Sequence, residues 1–258
     1  MRYFIELSYH GKNYHGWQRQ PNAKSIQEVI ENSLSLLLSD SILVIGCGRT
    51  DTGVHASQFF LHFDVEDVLN EEQLKFKLNA FLPNDIAIHH VFLVDKESHA
   101  RFDASFRSYA YRISLVKDPF LVDSSFQINH KNLDIIKMNK AAKILLEYEN
   151  FKCFSRSKTD VKTYDCDVSK AVWKKEKNLL VFYITANRFL RNMVRAIVGT
   201  LLEVGKNNMS LGDFRKVIEG QDRTKAGASV KAKGLFLTKV GYPQEILKNR
   251  NGRTEERK

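Results

Sequence analysis

Tyr3, Ile5 and Leu7 alternate with Phe4 and Glu6, a two-residue period that predicts a strand at the start of the chain. Residues 8–21 then carry the Gly, Asn, His and Gln content of a long loop. At Ser25 the period changes. Ser25-Ile26-Gln27-Glu28 has the spacing of a capping box, in which serine and glutamate satisfy orphan amides, and Ile26, Val29, Ile30, Leu34, Leu37 and Leu38 form the apolar stripe of a helix. After the break Ser39-Asp40-Ser41 the pattern predicts strands over 42–47 and 58–63, a helix over 71–81 and a strand over 86–94, with Pro83-Asn84-Asp85 marking the last helix-to-strand passage.

The second part of the chain repeats this style. Residues 106–116 read as a long strand with Tyr109, Tyr111 and Ile113 on one face, and a less regular segment, 117–130, follows. A helix over 132–148, a hairpin within 161–186 turning at Glu176-Lys177-Asn178, helices over 189–204 and 211–219, and a strand over 235–240 complete the pattern. The expected class is α+β: two similar halves on a mixed, mainly antiparallel sheet flanked by helices, divided as 1–116 and 117–248. Residues 249–258, rich in charge and poor in apolar side chains, are expected to be a disordered tail.

With 258 residues and a 43% hydrophobic fraction, the chain can bury a core without staples. Three cysteines, far apart and without any C-x-x-C spacing, support neither a disulfide framework nor a zinc site, and fit a reducing cytoplasm. The first residues lack the apolar core of a signal peptide, and no apolar run approaches the roughly 18 residues needed to span a bilayer, so neither secretion nor a membrane is expected. Forty Lys and Arg against thirty Asp and Glu give a net charge of +10. That excess favours a polyanionic partner such as nucleic acid, although solubility alone also accounts for it.

The most informative candidate chemistry lies in Gly46-Cys47-Gly48-Arg49-Thr50-Asp51-Thr52-Gly53-Val54-His55, where one carboxylate sits among arginine, threonine and glycine on a loop following a strand. An Asx-turn or a helix cap explains Asp51 equally simply. Three further segments carry more cations and aromatics than packing needs. Trp17-Gln18-Arg19-Gln20 suits phosphates or stacked bases, or is a surface loop anchored by its tryptophan. His99-Ala100-Arg101-Phe102 and Arg107-Ser108-Tyr109-Ala110-Tyr111-Arg112 interleave cations with rings, as RNA-binding strands do and as a sheet with core tyrosines also would. Arg188, Arg191 and Arg195 have spacings of three and four, which on the expected helix put them on one face, whether to meet phosphates and a carboxylate or only solvent. Arg195 is expected to pair with Asp51, because a guanidinium holds a carboxylate ionised and fixes its direction.

Taken together, seven ordered blocks resemble the TruA-type tRNA pseudouridine synthases over nearly the whole chain. They are Tyr14-His15-Gly16-Trp17-Gln18-Arg19-Gln20, Gly48 through Ala56, Leu82-Pro83-Asn84-Asp85-Ile86, His99-Ala100-Arg101-Phe102, Arg107 through Tyr111, Met193-Val194-Arg195 with Gly199, and Lys233-Gly234-Leu235. The resemblance implies the pseudouridine synthase fold and isomerisation of uridine to pseudouridine at positions 38, 39 and 40 of the tRNA anticodon stem-loop, with no cofactor and no metal. It implies Asp51 as nucleophile, Tyr109 against the target base, Arg195 as partner of the aspartate, and Arg49 assisting extrusion of the nucleotide. Arg19, Arg101, Arg188 and Arg191 are further expected tRNA contacts, and a homodimer is implied. Thr52 stands where the family usually has alanine, and Ser8-Tyr9-His10-Gly11 replaces its Tyr-Asp-Gly turn. Two rivals use the same residues. Asp51-Thr52-Gly53 matches the triplet of aspartic proteases, but no second triplet is present and the nearby Arg49 opposes a shared proton. A non-catalytic RNA-binding protein needs the basic and aromatic features without Asp51.

Overall fold

A computed structural model describes residues 1–128, 133–156 and 161–250. The chain forms two units, one of Met1–Ser105 with the residues from Leu237 onward, the other of Phe106–Phe236. The division thus falls at Ser105 rather than at 116, and the chain returns to the first unit near its end instead of closing the second.

In the first unit, β1 (Arg2–Tyr9), α1 (Ile26–Leu38), β2 (Ile45–Gly46), β3 (His55–Asp64), α2 (Glu71–Phe81) and β4 (Ile86–Val94) follow in order. Strand β1 lies between β3 and β4, antiparallel to both. Because it is central, both of its faces are covered: Phe4, Ile5 and Leu7 are all buried, and so is Glu6. Glu6 is satisfied by Arg250 and by Gln58 Nε2, which donates to it at 2.7 Å. Burial pushes the Glu6 pKa up, but the hydrogen bonds from Arg250 and Gln58 outweigh it and the net shift is downward. Both helices begin as their sequences dictate. Ser25 Oγ accepts from the Glu28 amide at 3.2 Å, and Asn70 Oδ1 accepts from the Gln73 amide at 2.9 Å. The expected strand over 42–47 is reduced to two residues of β2, paired with Leu61 and His62 of β3.

The second unit holds β5 (Phe106–Ser114), β6 (Phe126–Gln127), α3 (Ile135–Ile144), β7 (Val168–Glu176), β8 (Leu179–Ala186), α4 (Met193–Gly205) and α5 (Leu211–Glu219). Strand β8 pairs antiparallel with β5 and β7, while β6 runs parallel to β5. The hairpin turns as expected, with Lys177 at φ +53°. Trp173, Phe182, Phe154, Phe214, Ile197 and Leu201 are buried in this unit. β9 (Leu235–Gly241) carries the chain back to the first unit, and α6 (Gln244–Leu247) follows it. The mainly antiparallel, mixed sheet with flanking helices is the expected α+β class.

Two expectations are revised. The tail does not loosen at 249: Asn249 Nδ2 donates to the Leu93 carbonyl at 2.9 Å and Arg250 reaches Glu6. The remainder of that tail, together with the ends of the expected irregular segment at 129–130 and of the expected helix at 132, lies outside the described residues. Helix α3 gives way to a single 3-10 turn at Leu145–Glu147.

Candidate active site

Asp51 lies on the loop from β2 to β3, half-buried, at the first position of a turn closed by the Val54 amide on the Asp51 carbonyl at 3.1 Å. Gly53 occupies the third position with φ +77°, the conformation that a type II turn demands and that glycine adopts without strain. The triplet Asp51-Thr52-Gly53 is therefore a turn, and Thr52 is exposed at its corner.

This turn is held from behind by residues 14–17. The Trp17 amide donates to the Thr50 carbonyl at 3.2 Å and the Gly53 amide to the Tyr14 carbonyl at 3.3 Å, while the Gln27 amide of α1 donates to the Trp17 carbonyl at 3.0 Å. Residues 14–17 thereby join the N-terminus of α1 to the Asp51 loop. Thr50 is buried, and its hydroxyl meets the Tyr9 hydroxyl at 2.8 Å. Tyr14 in turn is held by its hydrogen bond to Asp85, the acid of the Leu82-Pro83-Asn84-Asp85-Ile86 block. The outcome is an acidic side chain carried by a loop whose neighbours on both sides are tied down, the arrangement a positioned nucleophile needs.

Trp17 serves this frame and not a base. It is buried, its ring stacks on Phe59 with centroids 4.1 Å apart, and a Cβ added to Gly46 would come within 2.5 Å of its indole. The tryptophan of that segment is therefore an anchor. Its neighbours remain outside. Arg49 is exposed and its Nε donates to Gln18 Oε1 at 3.0 Å. Arg49 and Arg101 line one open depression floored by Gly46 and Trp17. Arg19 turns instead to the buried Glu31, with NH1 to Oε2 at 3.0 Å.

Arg101 sits on a turn whose Ala100 amide donates to His62 Nδ1 at 3.0 Å. Only an unprotonated Nδ1 can accept that bond, and burial, with Arg2 and His99 nearby, pushes the His62 pKa down to about 4.

The second unit carries the other expected residues. Tyr109, on β5, is half-buried and meets Phe189 edge-on with centroids 5.1 Å apart. Arg195, on the first turn of α4, donates from Nε to the Val230 carbonyl at 2.8 Å, and its own carbonyl accepts from the Val230 amide. Residues 227–230 can lie on the helix only because of Gly199, where an added Cβ would fall 1.8 Å from the Ala228 carbonyl oxygen. The Gly227 amide also donates to Thr200 Oγ1 at 2.9 Å.

Arg188 and Arg191 do not share a helix face with Arg195. The helix begins at Met193, not at 189, and residues 187–192 form a loop. Asn187 Oδ1 accepts from the adjacent Arg188 amide and from the distant Asp167 amide, and Asn192 stands at φ +65°, so side-chain bonding and a left-handed residue break the expected periodicity. Arg188 is half-buried near Cys166, and Arg191 is exposed.

Sequence reasoning missed the hydrogen-bonded set Gln18, Gln27 and Glu31. The available signal was an acid, Glu31, one residue from the Ile30 to Leu34 stripe of α1, where a charge is buried only with partners. Among the described residues no group of three or more His, Cys, Asp or Glu is placed to hold a metal ion, and no helix is long and apolar enough to cross a membrane.

Comparison with known proteins adds an independent line. The profile of the family described as tRNA pseudouridine synthase matches residues 7–103 and 141–243. The chain is 51% identical over 249 residues to tRNA pseudouridine synthase A of Bacteroides thetaiotaomicron, covering 95% of this chain and 92% of that protein. It is 52% identical to the protein of the same name from Bacteroides fragilis, covering 95% and 98%. The similarity persists at 38% identity in Clostridium acetobutylicum, over 92% of this chain and 98% of its relative.

Proposed function

This chain belongs to the tRNA pseudouridine synthase family, and from that membership we propose that it isomerises uridine to pseudouridine in the anticodon stem-loop of tRNA, at positions 38, 39 and 40, with Asp51 as the nucleophile. The observation that carries the assignment is the construction of the Asp51 turn. A half-buried carboxylate stands on a loop tied to β1, to residues 14–17 and, through them, to α1.

Uridine and pseudouridine are isomers, so the reaction requires no oxidant and no group donor. The glycosidic bond from the sugar to N1 breaks and a bond from the sugar to C5 forms; the hydrogen on C5 leaves to solvent as a proton and N1 takes up a proton from solvent, so the atoms balance. The base must first leave the stack, which costs a few kcal/mol of unpairing. Exposed Arg49 assists that extrusion, Tyr109 lies against the extruded base and Arg195 is the cation serving Asp51; these three roles rest on the sequence resemblance. Arg101, Arg188 and Arg191 contribute phosphate contacts, with Arg19 nearer the frame because of Glu31. The protein acts as a cytoplasmic homodimer.

Release of tritium from tRNA labelled at uridine C5 tests this reading, comparing the wild type with Asp51→Ala. Release by the wild type alone supports it. No release from any anticodon-arm uridine, with tight tRNA binding, would make the protein a binding module, and full release by the variant would remove Asp51 from the role.

A further inference from the structure

Arg49 is exposed, and an exposed arginine ordinarily samples many rotamers. Here it does not stand alone. Its Nε donates to Gln18 Oε1 at 3.0 Å, Gln18 Nε2 donates to Gln27 Oε1 at 3.0 Å, and Gln27 Nε2 donates to Glu31 Oε1 at 2.9 Å. Glu31 is buried at the far end and also accepts from the Val44 amide at 3.2 Å and from Arg19 at 3.0 Å. Gln27 Oε1 accepts in addition from the Arg19 amide, and its Nε2 is shared with the Val44 carbonyl at 3.1 Å.

The two ends set the direction of every bond between them. A guanidinium can only donate and a carboxylate can only accept. Gln18 must therefore present its oxygen to Arg49 and its nitrogen to Gln27, and Gln27 must present its nitrogen to Glu31. Neither amide can flip without placing two donors or two acceptors face to face. The relay runs from the capped start of α1, beneath residues 18–19, to the loop that carries Asp51 two residues beyond Arg49.

We propose that Gln18, Gln27 and Glu31 are positioning residues for Arg49, a directional relay that aims its guanidinium at the RNA beside Asp51. The proposal rests on the reading that Arg49 assists nucleotide extrusion. Because extrusion follows tRNA binding, loss of the relay slows turnover more than it weakens binding.

The experiment is a double-mutant cycle of Gln18→Met and Arg49→Ala, read by single-turnover tritium release at saturating tRNA and by tRNA affinity. Methionine keeps the length of the half-buried glutamine and leaves Gln27 and Glu31 bonded to Arg19 and Val44, so folding is retained; a melting curve checks this. Gln18→Met alone is expected to lower the turnover rate about tenfold with affinity changed less than about twofold. In the Arg49→Ala background the same change is expected to cost nothing further. An equal cost in both backgrounds, or none in either, overturns the proposal. Full activity of Arg49→Ala would instead overturn the role of Arg49 on which it rests.

Discussion

Gly16 and Thr50 approach so closely that no side chain fits between them: a Cβ on Gly16 would lie 2.3 Å from the Thr50 carbonyl oxygen, and Gly16 itself stands at φ +90°. Both the space and the backbone conformation exclude alanine. Gly16→Ala is expected to destabilise the protein by about 3 kcal/mol and to displace the Asp51 turn. Thermal melting together with tritium release checks this; a variant with wild-type stability and activity would show that the contact does not hold the loop.

Asp51→Asn separates chemistry from folding. The turn is closed by backbone groups of Asp51, Gly53 and Val54 and braced by Thr50, none of which the substitution removes. Release of tritium is expected to fall by at least about a thousandfold while the melting temperature moves by no more than about 2 °C. Parallel tRNA-binding curves should superimpose on the wild type.

Arg195→Lys preserves charge but removes the Nε donor that meets the Val230 carbonyl at 2.8 Å. An ammonium cannot hold that carbonyl and also present a planar fork elsewhere. Activity is expected to drop about ten- to a hundredfold with little change in tRNA affinity. Equal activity of the two enzymes would mean that a point charge suffices there.

Acid should loosen the Arg101 turn through His62. Its folded pKa, about 4, lies below the ordinary value of about 6.5, so the stability it contributes is present above that ordinary value and is lost as pH falls toward 4. His62→Asn keeps an acceptor near the Ala100 amide and cannot titrate. The fall in melting temperature between pH 6.5 and 4 is expected to be shallower in that variant, and an unchanged slope would assign the acid sensitivity to other groups, such as Glu6.

Some elements were readable from the chain because their signals are local. Helices α2 and α5 span the residues that their sequence pattern predicts, and in the structure Asn70 and Ser210 cap them by accepting the amides of Gln73 and Asp213. Strand β4 likewise spans its predicted residues. Helix α4 misled for a local reason of the opposite kind. Arg188, Arg191 and Arg195 have helical spacing, but the side chain of Asn187 accepts from the Arg188 amide beside it and Asn192 adopts a left-handed conformation, so the first two arginines lie on a loop.

What the sequence by itself determined is the kind of elements, the family resemblance and the candidacy of Asp51, since periods, caps and ordered motifs are carried by residues near one another in the chain. What only the tertiary structure decided is which partners each loop residue meets. Trp17, beside cations in the sequence, is withdrawn onto Phe59, whereas Arg49 is bound to Gln18, 31 residues away. Those outcomes follow from burial of apolar rings and from satisfaction of buried polar groups by distant partners, which no local pattern encodes.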